Sequence, residues 1–146
     1  MLKRHTFWLK TAITFMFATA AIHATSLFVQ PVPQNDTEKQ LLDLMTNYKQ
    51  DLMGFHRSTA ELVTALSSCF SLLYVLGGFT NVYMLRTRVS GEFLKGFLGL
   101  NLLVFVPCFA IMLLLTFPPP IILTGLVAIS LAAAYFTIPK EPVSPS

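Results

Sequence analysis

From Gly96 to Pro139 the chain carries no charged residue. Wound as one helix, that run would be about 66 Å long, roughly twice the hydrocarbon thickness of a bilayer. It is interrupted at Pro118, Pro119 and Pro120. Consecutive prolines cannot continue a helix, because each lacks an N–H and its ring collides with the preceding turn. The run therefore predicts a hairpin of two spans with a tight turn at the prolines. Two more apolar stretches precede it. Thr11 to Val29 holds only a titratable His23, and Leu62 to Leu85 holds no charge. The expected spans lie near 7–29, 59–85, 94–117 and 120–138. Strict apolar–polar alternation is scarce and the apolar runs exceed strand length, so no sheet is expected. The predicted fold is all-α, an integral membrane four-helix bundle forming a single transmembrane domain over 1–146.

Composition agrees with that solvent. Apolar residues make up 54% of the chain and charged residues 12%, against about 25% charged in soluble domains. A soluble chain of this length must cover much surface, so the missing charge implies an apolar solvent and a lipid bilayer as the first partner. The net charge of +3 gives no nucleic-acid reading, because the basic residues flank apolar runs and form no stripe with aromatics. Cys69 and Cys108 lie within apolar runs with no C-x-x-C spacing, which suggests neither a zinc site nor a thioredoxin-like motif. The sequence has no H-E-x-x-H, G-x-S-x-G, P-loop or glycine-rich dinucleotide turn. No catalytic residue, metal or cofactor is indicated.

Basic residues orient the spans. Lys3, Arg4, Lys10, Arg86, Arg88, Lys95 and Lys140 fall on one side, and Lys39, Lys49 and Arg57 on the other. The positive-inside rule then places both termini in the cytoplasm and the long first loop outside. A cleaved signal peptide ending near Ala18-Thr19-Ala20 is the competing expectation. The apolar run continues past that point to Val29, longer than a typical signal core, so a retained first span is preferred. The tail KEPVSPS is short, proline-rich and expected to be disordered.

The outer loop opens with a turn-rich stretch, Gln30 to Thr37, in which Asp36 or Thr37 is the expected helix cap. From Glu38 to Met53 the residues Leu41, Leu44, Met45, Tyr48 and Leu52 share one helical face, opposite Asp43, Asn47, Gln50 and Asp51. An amphipathic helix is expected near 38–53. It would serve either as a lid over a cavity or as a connecting helix at the membrane surface.

Ionisable groups inside or beside a span require a reason, because burying them unpaired is costly. His23 falls towards the outer end of the first span, as a proton carrier, a ligand contact or interhelical glue. At the second span, Ser58 and Glu61 have the S-x-x-E form of a capping box, and Arg57 stands four residues before Glu61. His23, His56, Arg57 and Glu61 all fall in the outer part of the bundle, where a shared polar pocket could form. Ser68 extends it along a stripe of Glu61, Thr64, Ser68, Ser71, Val75 and Gly78, which suits either a wet groove or a close helix seam. Asn81 and Asn101 come to similar depth in adjacent spans and are expected to pair as amides. Pro107 is expected to bend the third span, and Gly125, Ala128 and Ala132 to form a packing stripe on the fourth.

Gly54, Arg57 and Ser58, as a G-x-x-R-S element before the second span, together with His23 in the first, resemble a group of small bacterial inner-membrane proteins with four helices. The resemblance would extend over nearly the whole chain. It implies a four-helix fold and no established activity. A second histidine near the first, frequent in that group, is absent here, so histidine-pair chemistry does not carry over. A more distant similarity in size and topology is to DoxX-type membrane proteins, which by fold analogy alone hints at quinone or redox partners.

Three functions fit these residues. The first is binding of a lipid-like or quinone-like molecule, or of a membrane partner, at the outer polar pocket. The second is a membrane enzyme or redox accessory that uses His23 and Glu61 to handle protons. The third is a structural subunit that docks through small-residue stripes.

Overall fold

The triple proline does not separate two helices; it begins one. In the computed structural model, which describes residues 4–29, 31–87 and 89–139, helix α5 runs from Pro118 to Thr137 with the prolines as its first turn. The first N–H groups of a helix have no intrahelical partner, so proline loses nothing there, and its fixed φ suits the start. The turn is as tight as expected but lies two residues earlier in the chain, before the prolines. Helix α4 spans Gly91–Leu115, and only Thr116 and Phe117 separate the two.

The remaining helices are α1 (Arg4–Ser26), α2 (Asp36–Asn47) and α3 (Thr59–Thr87). The fold is all-α in class, with 81% of the described residues helical, and α1, α3, α4 and α5 are each long and apolar enough to cross a membrane. Large apolar side chains are exposed along these helices, among them Leu66 (73%), Leu103 (73%), Leu114 (80%) and Phe136 (79%). Acyl chains are the solvent that accepts such a surface, and helices satisfy the backbone within it. The protein is a multi-pass protein of a lipid bilayer.

Two boundaries differ from expectation for local reasons. Helix α1 stops at Ser26 and the chain tightens into i→i+3 bonds, Leu27 N to Ala24 O (3.2 Å) and Phe28 N to Thr25 O (3.1 Å). The Thr25 and Ser26 hydroxyls donate to the Ile22 and His23 carbonyls (both 2.7 Å) and so compete for the helix's own acceptors. Helix α2 is capped by Asn35, not by Asp36 or Thr37. Asn35 Oδ1 accepts from Glu38 N (2.8 Å), and Glu38 Oε2 accepts from Gln34 N (2.7 Å).

The larger difference lies between α2 and α3. The amphipathic helix ends at Asn47, and residues expected to continue it fold as a two-stranded antiparallel hairpin, β1 (Lys49–Leu52) and β2 (Phe55–Ser58). The connecting residues Met53 (φ 57°) and Gly54 (φ 90°) both take positive φ, as a type I′ turn demands. Asp51 Oδ1 accepts from Gly54 N at 2.8 Å and fixes the turn. Strands this short and polar carry little hydrophobic pattern, and Met-Gly is a weaker hairpin signal than Asn-Gly.

By internal packing the chain divides into two units: the described parts of Met1–Thr19 with Tyr74–Ser146, and Ala20–Leu73. The first unit is the helical bundle. Its core is built from Leu9, Met16, Leu98, Val127 and Leu131, all fully buried. Glycines permit close helix approach in it. A Cβ on Gly78 would lie 2.7 Å from the Phe17 ring, and one on Gly125 would lie 3.0 Å from Phe109. Gly125 and Ala128 of the expected stripe are buried and Ala132 is half-buried. Asn81, fully buried, donates to Asn101 Oδ1 (3.0 Å) and to Gly77 O (2.8 Å), so the expected amide pair forms. Tyr74 donates to Thr124 Oγ1 at 3.2 Å and its ring meets Phe105 edge-on at 5.4 Å. Helix α4 runs unbroken through Pro107.

Cys69 and Cys108 are both free thiols. The expectations placed on Lys3, Arg88, Lys140 and the tail lie outside the described residues.

Candidate polar groove at the mouth of α3

The second unit holds the sequence-predicted site, and the hairpin organises it. The register pairs Lys49 with Ser58, Gln50 with Arg57, Asp51 with His56 and Leu52 with Phe55. Directly paired residues share a face and successive pairs alternate. Lys49, Ser58, Asp51 and His56 therefore share one face, and Gln50, Arg57, Leu52 and Phe55 the other. Because Lys49 pairs with Ser58, one residue before α3, the end of α2 is pinned beside the start of α3.

At that junction Ser58 and Glu61 form the expected capping box. Ser58 N donates to Glu61 Oε2 at 2.8 Å, and Glu61 N donates to Ser58 Oγ at 3.2 Å. Ser58 is buried, 2% exposed. Arg57 Nη1 lies 3.7 Å from Glu61 Oε1, with both side chains about half exposed. The two carboxylate oxygens thus have separate duties, one capping the helix and one facing the guanidinium. Arg57 stands on β2 and Glu61 on α3, so the pair joins a strand to a helix and is not the helical i,i+4 pair expected.

An open groove runs along this junction, lined by Thr46 at the end of α2, Lys49, Ser58, Ala60, Glu61, Thr64 and Ala65. Lys49 is the cation of the groove, beside the Glu61 carboxylate, while Arg57 faces Glu61 Oε1 from outside its lining. On the opposite face of α3, Leu62, Val63 and Leu66 are exposed and begin the lipid-facing surface.

The other predicted residues fall elsewhere. His56 is exposed on the hairpin, opposite Asp51. Ser68 stands one turn beyond Thr64 and donates to the Thr64 carbonyl at 2.8 Å. His23, half-buried, places its ring edge-on to Phe70, with centroids 4.9 Å apart and planes at 70°. Its Nε2 is buried and makes no hydrogen bond. Phe70 lies nine residues along α3 from Glu61, a rise of about 13 Å. Among the described residues no hydrogen bond or ion pair joins His23 to Arg57 or Glu61.

Lys49 carries no site signal in the sequence because a continuous helix through Met53 would aim it elsewhere, and Thr46, helical in either case, meets the start of α3 only because the hairpin folds α2 back beside it. Gly54, followed by the short run before Ser58, was the available turn signal. Among the described residues no group of three or more His, Cys, Asp or Glu could hold a metal ion. No protein-family model, curated protein or solved structure matches the chain.

Proposed function

We propose that this is a bacterial inner-membrane protein with both termini in the cytoplasm, which binds the polar head of a lipid-like or quinone-like amphiphile in the groove at the outer mouth of α3. The observation that carries this reading is the placement of Lys49, Thr46 and Thr64 around the capped, ion-paired Glu61, in the first turns of a helix long and apolar enough to cross a membrane. The Lys49 ammonium and the Thr46 and Thr64 hydroxyls suit an anionic or oxygen-rich head group, and its tail would enter the bilayer alongside α3.

The orientation rests on the basic residues, seven of ten of which fall on the side of the termini and the α3–α4 loop. A proton-handling enzyme that couples His23 to Glu61 draws no support, because the ring His23 packs on, Phe70, lies about 13 Å along α3 from Glu61.

The test is mass spectrometry of small molecules co-purified with the wild type, Lys49→Gln and Glu61→Gln. Loss of a bound lipid or quinone in Lys49→Gln supports the groove. Equal retention in all three removes it as a binding site.

A further inference from the structure

We infer that α2 is an interfacial helix, with the face of Leu41, Leu44 and Tyr48 seated in the head-group region of the bilayer the protein spans. None of the residues of α2 is buried. Leu41 and Leu44 are 56% and 60% exposed and lie along one side of the helix, and Tyr48, its C-cap, is 62% exposed. That side points away from the α3 junction, because Thr46, which lines the groove beside Glu61, stands on the opposite flank of α2. A lid would cover something with its apolar face; here no part of the unit covers it.

Position selects the occupant. The hairpin consumes the chain between α2 and α3, and the Lys49–Ser58 pairing holds the last turn of α2 at the first turn of a membrane helix. The other end of α2 is tied to α1, which stops at Ser26. Helix α2 therefore stays at the level where α3 enters lipid and where Leu62, Val63 and Leu66 begin the lipid-facing surface. The apolar face of α2 extends that surface into the interfacial layer, where a tyrosine is at home with its ring in the apolar part and its hydroxyl in water.

Charge sets the lipid class. Asp36, Glu38 and Asp43 outnumber Lys39 on α2. Anionic lipids would gain nothing from this helix, so its docking rests on apolar area and is indifferent to head-group charge.

The test uses the full chain in lipid nanodiscs, in a Trp8→Phe background, because Trp8 is the sole tryptophan. Leu41→Trp and Leu44→Trp probe the apolar face, and Asp43→Trp the polar face. Dioleoylphosphatidylcholine is compared with its dibrominated form, whose bromines quench tryptophan on contact. Leu41→Trp and Leu44→Trp should be quenched several-fold more than Asp43→Trp, with the same ratio when phosphatidylglycerol is added. Equal, weak quenching at all three positions overturns the inference. So does unquenched, blue-shifted emission from Leu44→Trp that changes with the protein-to-lipid ratio, which would mean that a second copy covers the face. Quenching that appears only with phosphatidylglycerol overturns the apolar mechanism.

Discussion

Ser58 and Glu61 satisfy each other across the first turn of α3: each residue's backbone N–H is bonded by the other's side chain, at 2.8 Å and 3.2 Å. This reciprocal pair fixes where the second spanning helix begins. It also fixes the direction from which Arg57 and Lys49 approach the Glu61 carboxylate. Because Ser58 is buried while Glu61 is half exposed, the two halves of the box respond differently to substitution. Ser58→Ala removes the acceptor for Glu61 N and should destabilise the unit by about 1 kcal/mol. Glu61→Gln keeps an oxygen for Ser58 N but loses the charge that faces Arg57, and it should be the milder change. Hydrogen exchange of the amides in the first turn of α3 reads both. Faster exchange in Glu61→Gln than in Ser58→Ala would show that the ion pair, and not the cap, holds the turn.

The hairpin turn gives a second prediction. Met53 adopts φ 57° with a full side chain, a conformation that disfavours most L residues by about 1 kcal/mol. Met53→Asn would place the preferred Asn-Gly pair in the same turn and should slow hydrogen exchange across β1 and β2. Gly54→Val, at φ 90°, should accelerate it, even though the space around Gly54 is open. If both variants leave exchange unchanged, the turn does not limit hairpin stability.

The difference between what was legible and what was not follows from the strength of each pattern. The spans were legible because uncharged runs such as Leu62 to Leu85 have one explanation in a short chain. The Asn81–Asn101 pair was legible because a short loop sets two helices antiparallel, which fixes depth. The hairpin was hidden because helix and strand place Lys49 to Leu52 on a surface equally well, and four residues with a single apolar one cannot distinguish the periods. The start of α5 was misjudged because proline's penalty inside a helix disappears in its first turn. The groove inherited the first of these errors. Glu61 and Arg57 could be read from the sequence, but Lys49 joins them only through the strand register.

The buried amides make a third prediction, in the bundle. Asn81 Nδ2 donates to Asn101 Oδ1 at 3.0 Å, and Asn81 Oδ1 has no hydrogen-bond partner. Removing either asparagine alone leaves a polar group stranded in an apolar interior, while removing both does not. A double-mutant cycle of Asn81→Leu and Asn101→Leu, read by unfolding in detergent, should give a coupling of about 1 kcal/mol. Strict additivity would mean that the pair contributes nothing to helix association.

Close approach through glycine gives the fourth. A Cβ on Gly125 would lie 3.0 Å from the Phe109 ring, and one on Gly78 would lie 2.7 Å from Phe17. Phe17 also meets the Phe79 ring edge-on at 5.2 Å, which limits its freedom to yield. Gly78→Ala and Gly125→Ala should each destabilise the bundle by about 1–3 kcal/mol through overpacking. Gly96→Ala, where nothing lies within 4 Å, should not, and may be used as the control in the same detergent unfolding series.

The proposed orientation makes the last prediction, and Met53 is the residue to test it with. Its side chain is fully exposed at the hairpin tip, on the side where α1 ends and α3 begins. In a Cys69→Ala, Cys108→Ala background, Met53→Cys in intact cells should react with a membrane-impermeant maleimide reagent. Thr87→Cys, exposed at the far end of α3, should react only after the membrane is opened. The α2 apolar face adds an internal check, since a cysteine at Leu44 would be shielded by lipid while one at Met53 stays in water. Labelling of Thr87→Cys but not Met53→Cys in intact cells would invert the orientation and move the groove to the cytoplasmic side.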